Sequence, residues 1–127
     1  MAKWANDLMM DASLDYVAGS VRMVACSAQP ANYAGIAAVA RLPDGTRDVT
    51  VAGGDFTKAN GDTSGRKVTV AAKSSVPIDT SGTATHIALD DGTTLRYVTT
   101  CTSLALTSGA GNTVNFPAWD VEVADPA

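Results

Sequence analysis

Charge is scarce in this sequence. Asp, Glu, Lys and Arg make up 17% of its 127 residues, where soluble domains usually carry about 25%. Ala, Thr, Ser and Gly fill the difference. The basic residues are scattered singly, apart from Arg66-Lys67, and the net charge is −4. Binding to nucleic acid needs a basic stripe to meet the phosphates, so the sequence argues against that partner. Long apolar runs are missing as well. Nothing approaches the roughly 18 residues of a membrane helix. The start, Met1-Ala2-Lys3-Trp4-Ala5-Asn6-Asp7, lacks the apolar core and cleavage site of a signal peptide. The expectation is a soluble protein made in the cytoplasm. Aromatics are few, seven in all, with one His and one Glu. That leaves little material for catalysis or for a carbohydrate-stacking platform.

Cysteine is nearly absent too. Cys26 and Cys101 both fall in apolar, strand-like runs. Two Cys and one His cannot complete a zinc site without a carboxylate. In a reducing compartment the pair reads as two buried free thiols, which behave as small hydrophobes. A disulfide between them is the alternative.

What is present describes one domain, residues 1–127, long enough to bury roughly two-thirds of its unfolded surface. Positions 5–18 predict a helix. Asn6 or Asp7 can cap it, and Asp7 puts negative charge at the positive end of the helix dipole. Met9, Ala12 and Tyr16, and Met10, Leu14 and Val17, recur at three- and four-residue spacing. Asp11 and Asp15 share the opposite, wet side. Gly19 fits a stop in the left-handed conformation.

Helical spacing then disappears. Residues 21–27 form a strand-like run with Val21, Met23 and Ala25 on one face. Residues 35–41 suit either a strand or a short helix. Pro43-Asp44-Gly45 is a turn. Strands are expected at 48–52 and 67–72, joined by a long polar loop, 53–65, anchored by Phe56. The strongest local signal lies at 83–100, where Asp90-Asp91-Gly92-Thr93 separates two alternating runs as in a β-hairpin. Residues 104–107 give a short apolar run. The last pair of strands, 113–116 and 118–123, is interrupted by Pro117, which belongs at an edge or a bulge. The sum is a mainly β chain: a single β-sandwich or small barrel of about seven or eight short antiparallel strands at 21–123, with one N-terminal helix. Residues 1–6 are a candidate arm.

Candidate chemistry is thin. His86 sits in a predicted strand, pointing with Ala88 away from Ile87 and Leu89, and spacing supplies neither a nucleophile nor an orienting carboxylate. Gly61-Asp62-Thr63-Ser64-Gly65 lacks the Gly-x-Ser-x-Gly spacing of a nucleophile elbow. With Arg66-Lys67 it also misses the spacing of a phosphate-binding P-loop. It reads as a Gly-rich hairpin loop. Asp44, Asp55, Asp62, Asp90 and Asp91 read as turn residues rather than calcium ligands, since no EF-hand spacing is present. Glu122 has no partner Glu for paired-carboxylate chemistry. No catalytic, cofactor-binding or metal-ligating set is expected. Trp4, Phe56 and Trp119 are candidate protein–protein contacts, because aromatic anchors concentrate at buried contacts between subunits.

Three stretches carry a resemblance. One is Ala2-Lys3-Trp4-Ala5-Asn6-Asp7 with the helix and then Met23-Val24-Ala25-Cys26-Ser27-Ala28-Gln29-Pro30. Another is Asp62-Thr63-Ser64-Gly65-Arg66-Lys67-Val68. The third is Gly82-Thr83-Ala84-Thr85-His86-Ile87-Ala88-Leu89, followed by Leu95-Arg96-Tyr97-Val98 and Asn112-Thr113-Val114-Asn115-Phe116-Pro117-Ala118-Trp119. In that order, over nearly the whole chain, they resemble small virion proteins of tailed bacteriophages, of the head-decoration and tail-fibre-like kind. The resemblance implies a β-sandwich that assembles on a virion as a homo-oligomer, without catalysis, against the major capsid protein or tail proteins. The leading expectation is a capsid decoration (cement) protein. A tail, adaptor or fibre-base component is the alternative, and a carbohydrate- or receptor-binding β-sandwich a second one. No functional residue carries over, since the resemblance is one of packing and turns.

Overall fold

Helix α1 (Asp7–Ala18) opens the fold, and the Asn6 side chain caps it by accepting from the Leu8 amide at 2.8 Å. The computed structural model describes residues 5–38, 41–42, 49–77, 81–107, 109 and 111–124. The expected turn at 43–45, Trp4 and the chain end at 125–127 lie outside these. Met10, Leu14 and Val17 are the buried stripe of α1. Met9 and Tyr16, in the other expected row, stay 63% and 50% exposed. The side expected to be wet is partly claimed by cations. Asp11 is gripped by Arg66, and Asp15 by Lys58 at 2.6 Å.

Among the described residues ten strands follow: β1 (Arg22–Cys26), β2 (Arg41–Leu42), β3 (Val49–Thr50), β4 (Phe56–Asn60), β5 (Arg66–Val70), β6 (Lys73–Pro77), β7 (Gly82–Asp90), β8 (Leu95–Leu106), β9 (Thr113–Phe116) and β10 (Trp119–Val123). A short helix, α2 (Tyr33–Ala38), takes positions 35–38 of the ambiguous run 35–41, Arg41 begins β2, and 39–40 lie outside the described residues. The main sheet runs β2-β1-β7-β8, with β3 also paired to β1. A second sheet runs β10-β5-β4, and β6 pairs with β9 in a third. All pairings are antiparallel. The chain is therefore mainly β, built as a small sandwich with one main N-terminal helix and no closed barrel among the described residues.

The main core lies between the first sheet and the other two. Met23, Ala25 and Leu89 from the main sheet meet Val68, Val70 and Val121 from the second and Val76 and Phe116 from the third, with Leu14 and Val17 of α1 closing one end. Burying a side chain such as Leu89 contributes about 2 kcal/mol. The main sheet is covered on its other face too. Val24, Cys26 and Ala88 are buried under Tyr33, Leu95 and Val98. This explains why β1 reads as a continuous apolar run: a strand covered on both faces has no reason to alternate.

Two expectations change. The segment 53–65 is not one loop. After a turn at Gly53–Asp55, β4 forms and pairs along its whole length with β5. The short run at 104–107 belongs mostly to β8, twelve residues long. β8 bulges twice against β7, near Leu89/Asp90 and again between Ala84 and His86.

Candidate functional site

Two ends of the molecule differ in chemistry. The first is built on charge. Arg66 of β5 grips Asp11 of α1 through two contacts, Nε to Oδ1 at 2.8 Å and Nη2 to Oδ2 at 3.3 Å. Lys67, on the same strand, reaches Asp62 at 2.7 Å and Asp120 at 3.4 Å. These partners hold the Asp11 carboxyl below the usual range, through the Arg66 hydrogen bond. Asp120 is lowered first by the Thr69 hydroxyl and then by Lys67.

The β7–β8 turn is the most concentrated of these polar knots. Asp91 accepts from the amides of Thr93 (2.9 Å) and Thr94 (2.6 Å), and from Arg96 Nη2 at 3.0 Å. Its carboxyl is driven far below the usual range, first by those two amides and then by Arg96. Arg96 also lies 4.2 Å over the Tyr16 ring and donates to the Tyr16 carbonyl. The last turn of α1 has no basic residue of its own, so β8 supplies the cation its carbonyl end attracts. Gly19 makes this possible. Its φ of −79° is not left-handed, contrary to the expected stop, and a Cβ there would stand 2.7 Å from Arg96 Nη1. Neighbouring Asp90 is fully buried and binds Arg22 Nε at 2.9 Å, while Arg22 lies 5.5 Å from the Tyr33 ring centroid.

The second end is built around a stretch of chain without charge. No residue from Tyr97 to Trp119 is ionic, a stretch of 23 residues. It includes most of β8, all of β9 and the segment joining them. Between β8 and β9, which are not hydrogen-bonded to each other, lies an apolar cleft of about 220 Å³. Cys101, Leu104, Leu106, Val114, Phe116 and Pro117 form its walls, and Ala25, Ala84 and Ile87 also line it. Leu104 stands at this cleft 52% exposed, and a shallower depression beside it is lined by residues 104–107 and 111–114. Among the described residues no charged side chain lines either one.

The residues singled out from sequence take these places. Phe56 packs half-buried against the main core. Trp119 does the same and stacks on Tyr97 with ring centroids 6.0 Å apart, its indole Nε1 buried without a partner among the described residues. Trp4 lies outside the described residues. His86 is half-buried, with Nδ1 2.9 Å from the Thr85 hydroxyl. The segment 61–65 is the turn between β4 and β5. The Gly61 amide donates to the Gly65 carbonyl, and the Asp62 amide to Glu122. Gly65 has φ +72°, and a Cβ there would collide with the Val123 carbonyl. Asp55 is engaged by Lys73 at 2.9 Å. Among the described residues no group of three His, Cys, Asp or Glu could hold a metal ion, and no helix is long and apolar enough to cross a membrane. Neither cysteine is in a disulfide. Cys26 is sealed under the outer face of the main sheet, while Cys101 opens into the cleft on the inner side.

Motif reading passed over the charge-free stretch, because it asks which residues are present. The signal was a gap: no ionic residue between Arg96 and Asp120. Compared with known families, curated proteins and solved structures, the chain matches none.

Proposed function

We propose that this chain is a structural subunit that acts by packing against neighbours in a larger assembly. The observation that carries the reading is the segregation of charge. One end of the fold uses its ions to fix its own elements. The other presents a 23-residue stretch without charge and an exposed Leu104 beside an apolar cleft. Depletion of charge at the centre of a patch is what marks a protein interface. The low overall charge supports the same reading.

The resemblance noted in the sequence gives this assembly a setting, the particle of a tailed bacteriophage, and a role as a capsid decoration protein. Such a protein binds the assembled shell and not its dissociated parts, and so stabilises the shell by mass action. Quantitative mass spectrometry of purified particles tests both levels. Hundreds of copies per particle support decoration of the head. Tens or fewer move the subunit to the tail. Complete absence from the particle overturns the virion reading.

A further inference from the structure

We infer that α2 is a latched strap: it closes over the outer face of the main sheet through Tyr33, and it opens as a unit to bare Cys26 while the rest of the fold stays in place. The inference does not depend on the assembly role proposed above.

The base of the strap is built as a hinge. The chain leaves the main sheet after Cys26 and rejoins it at Arg41, and those two residues are paired partners. A surface loop whose ends meet in this way can swing out without disturbing what lies beyond its base. β1 keeps its own ladder when that happens, five pairs with β7 from Arg22–Asp90 to Cys26–His86. α2 has little to hold it together alone. Its six residues are far fewer than the roughly 12–15 that an isolated helix needs. Asn32 caps it by accepting from the Gly35 amide at 2.8 Å, but Gly35 is itself a poor helix former.

The order of α2 therefore comes from what it rests on. Among the described residues, Tyr33 is the α2 side chain packed on the outer cluster of Val24, Cys26 and Ala88. The other two side chains that cover this cluster, Leu95 and Val98, belong to the sheet itself. Tyr33 is half-buried and held by Arg22. Arg22 Nη2 donates to its hydroxyl at 3.3 Å, and the guanidinium carbon lies 5.5 Å from the ring centroid. Both contacts are long. Arg22 is fixed in turn by the fully buried Asp90 at 2.9 Å, so the anchor of the latch is firm and its grip on Tyr33 is weak. One flank of the strap is also open to solvent. Between residues 31–34 and residues 93–95 lies an open depression of about 490 Å³. The inner core is held differently. Among the described residues fourteen buried side chains form it, against three on the outer face, and the units of a fold that bury least open first.

Labelling of the whole native chain with a thiol reagent tests this, on a Cys101→Ser background that leaves Cys26 as the single thiol. Labelling should proceed well below the urea midpoint of unfolding, at a rate that hardly changes with urea, because a local opening exposes little surface. Tyr33→Ala should speed it at least about 10-fold, since ring packing and both Arg22 contacts go together. Tyr33→Phe keeps the ring over Arg22 and drops the hydroxyl, and should speed it about threefold. Val68→Ala thins the inner core at a fully buried position. It should lower the urea midpoint and leave the labelling rate as it was. The inference is overturned by a labelling rate that rises with urea as steeply as global unfolding does, or that follows Val68→Ala. It is equally overturned by a Tyr33→Ala chain labelled no faster than its parent. The urea dependence of the parent chain decides the matter even where a variant does not fold.

Discussion

The two ends of this molecule keep order by different means. Around α1, β5, β10 and the β7–β8 turn, directional contacts between ions and amides set each element at a fixed angle to the next. Around the outer half of β8 and β9, each strand is held by its own ladder, β8 to β7 and β9 to β6, with no ion pair of their own residues between them, and the walls of the cleft do not close on each other. Charge-assisted contacts are specific but lose their worth when water competes. Apolar surface is unspecific, and contributes most when something covers it. The first end therefore fixes the fold, and under the function proposed above the second is the surface left to meet a neighbour.

The largest expected effect breaks the first end. Asp90 has no exposed surface and holds Arg22 at 2.9 Å. Asp90→Ala strips a partly buried cation of its partner and should cost about 3–5 kcal/mol, read as a lower urea midpoint. Leu104→Asp, a far more drastic change in polarity at the other end, should shift that midpoint by less than about 0.5 kcal/mol. Equal losses would mean that Leu104 supports the fold rather than a neighbour.

Acid should separate the ends next. Asp11, Asp55, Asp91 and Asp120 all have carboxyls lowered in the folded state by their partners. A lowered folded-state pKa means that the stabilisation is fully present above the unfolded value, about 3.9, and is lost as pH falls through the folded value. Stability should hold from neutral pH to about pH 5 and then decline below pH 4. In Asp91→Asn the decline should be shallower. A variant with the wild-type slope would show that the amides of Thr93 and Thr94 hold the turn regardless of charge.

How much of this was legible follows the same division. The hairpin at 83–100 was readable because alternation and the Asp-Gly turn agree, and each of those residues acts locally. The helix was readable from its buried stripe of Met10, Leu14 and Val17. Gly19 was read for the wrong reason, since what it accommodates is Arg96, 77 positions away in sequence. Strand β4 was hidden because Phe56-Thr57-Lys58-Ala59-Asn60 has little apolar pattern and its pairing with β5 supplies the order. The cleft was invisible, because it depends on β8 and β9 failing to pair. The charge gap that surrounds it was visible throughout.

A smaller effect lies at the join between helix and sheet. Ser20 is 2% exposed, and its hydroxyl has no partner among the described residues. A buried hydroxyl without a hydrogen bond costs about 1–3 kcal/mol in desolvation. Ser20→Ala keeps the backbone bond from the Ser20 amide to the Val17 carbonyl and should raise stability by about 1 kcal/mol. No change on thermal unfolding would place a water on that hydroxyl.

The smallest expected effect tests what makes the first end rigid. Asp15 and Lys58 form a short ion pair, 2.6 Å, but their side chains are 58% and 36% exposed. Asp11 and Arg66 meet through two contacts at 16% and 18% exposure. Exposed pairs typically couple by about 0.2–1 kcal/mol, because water screens them and two long side chains must be held still. The two-pronged geometry of Arg66 and its shelter should place its coupling to Asp11 above that range. Double-mutant cycles on the two pairs, both anchored on α1 but on β4 and β5 respectively, compare an exposed single contact with a sheltered two-pronged one. If the Asp15–Lys58 cycle gives as much as the Asp11–Arg66 cycle, distance alone sets the strength of these contacts. The rigidity of the charged end would then come from its number of ions rather than from where they are placed.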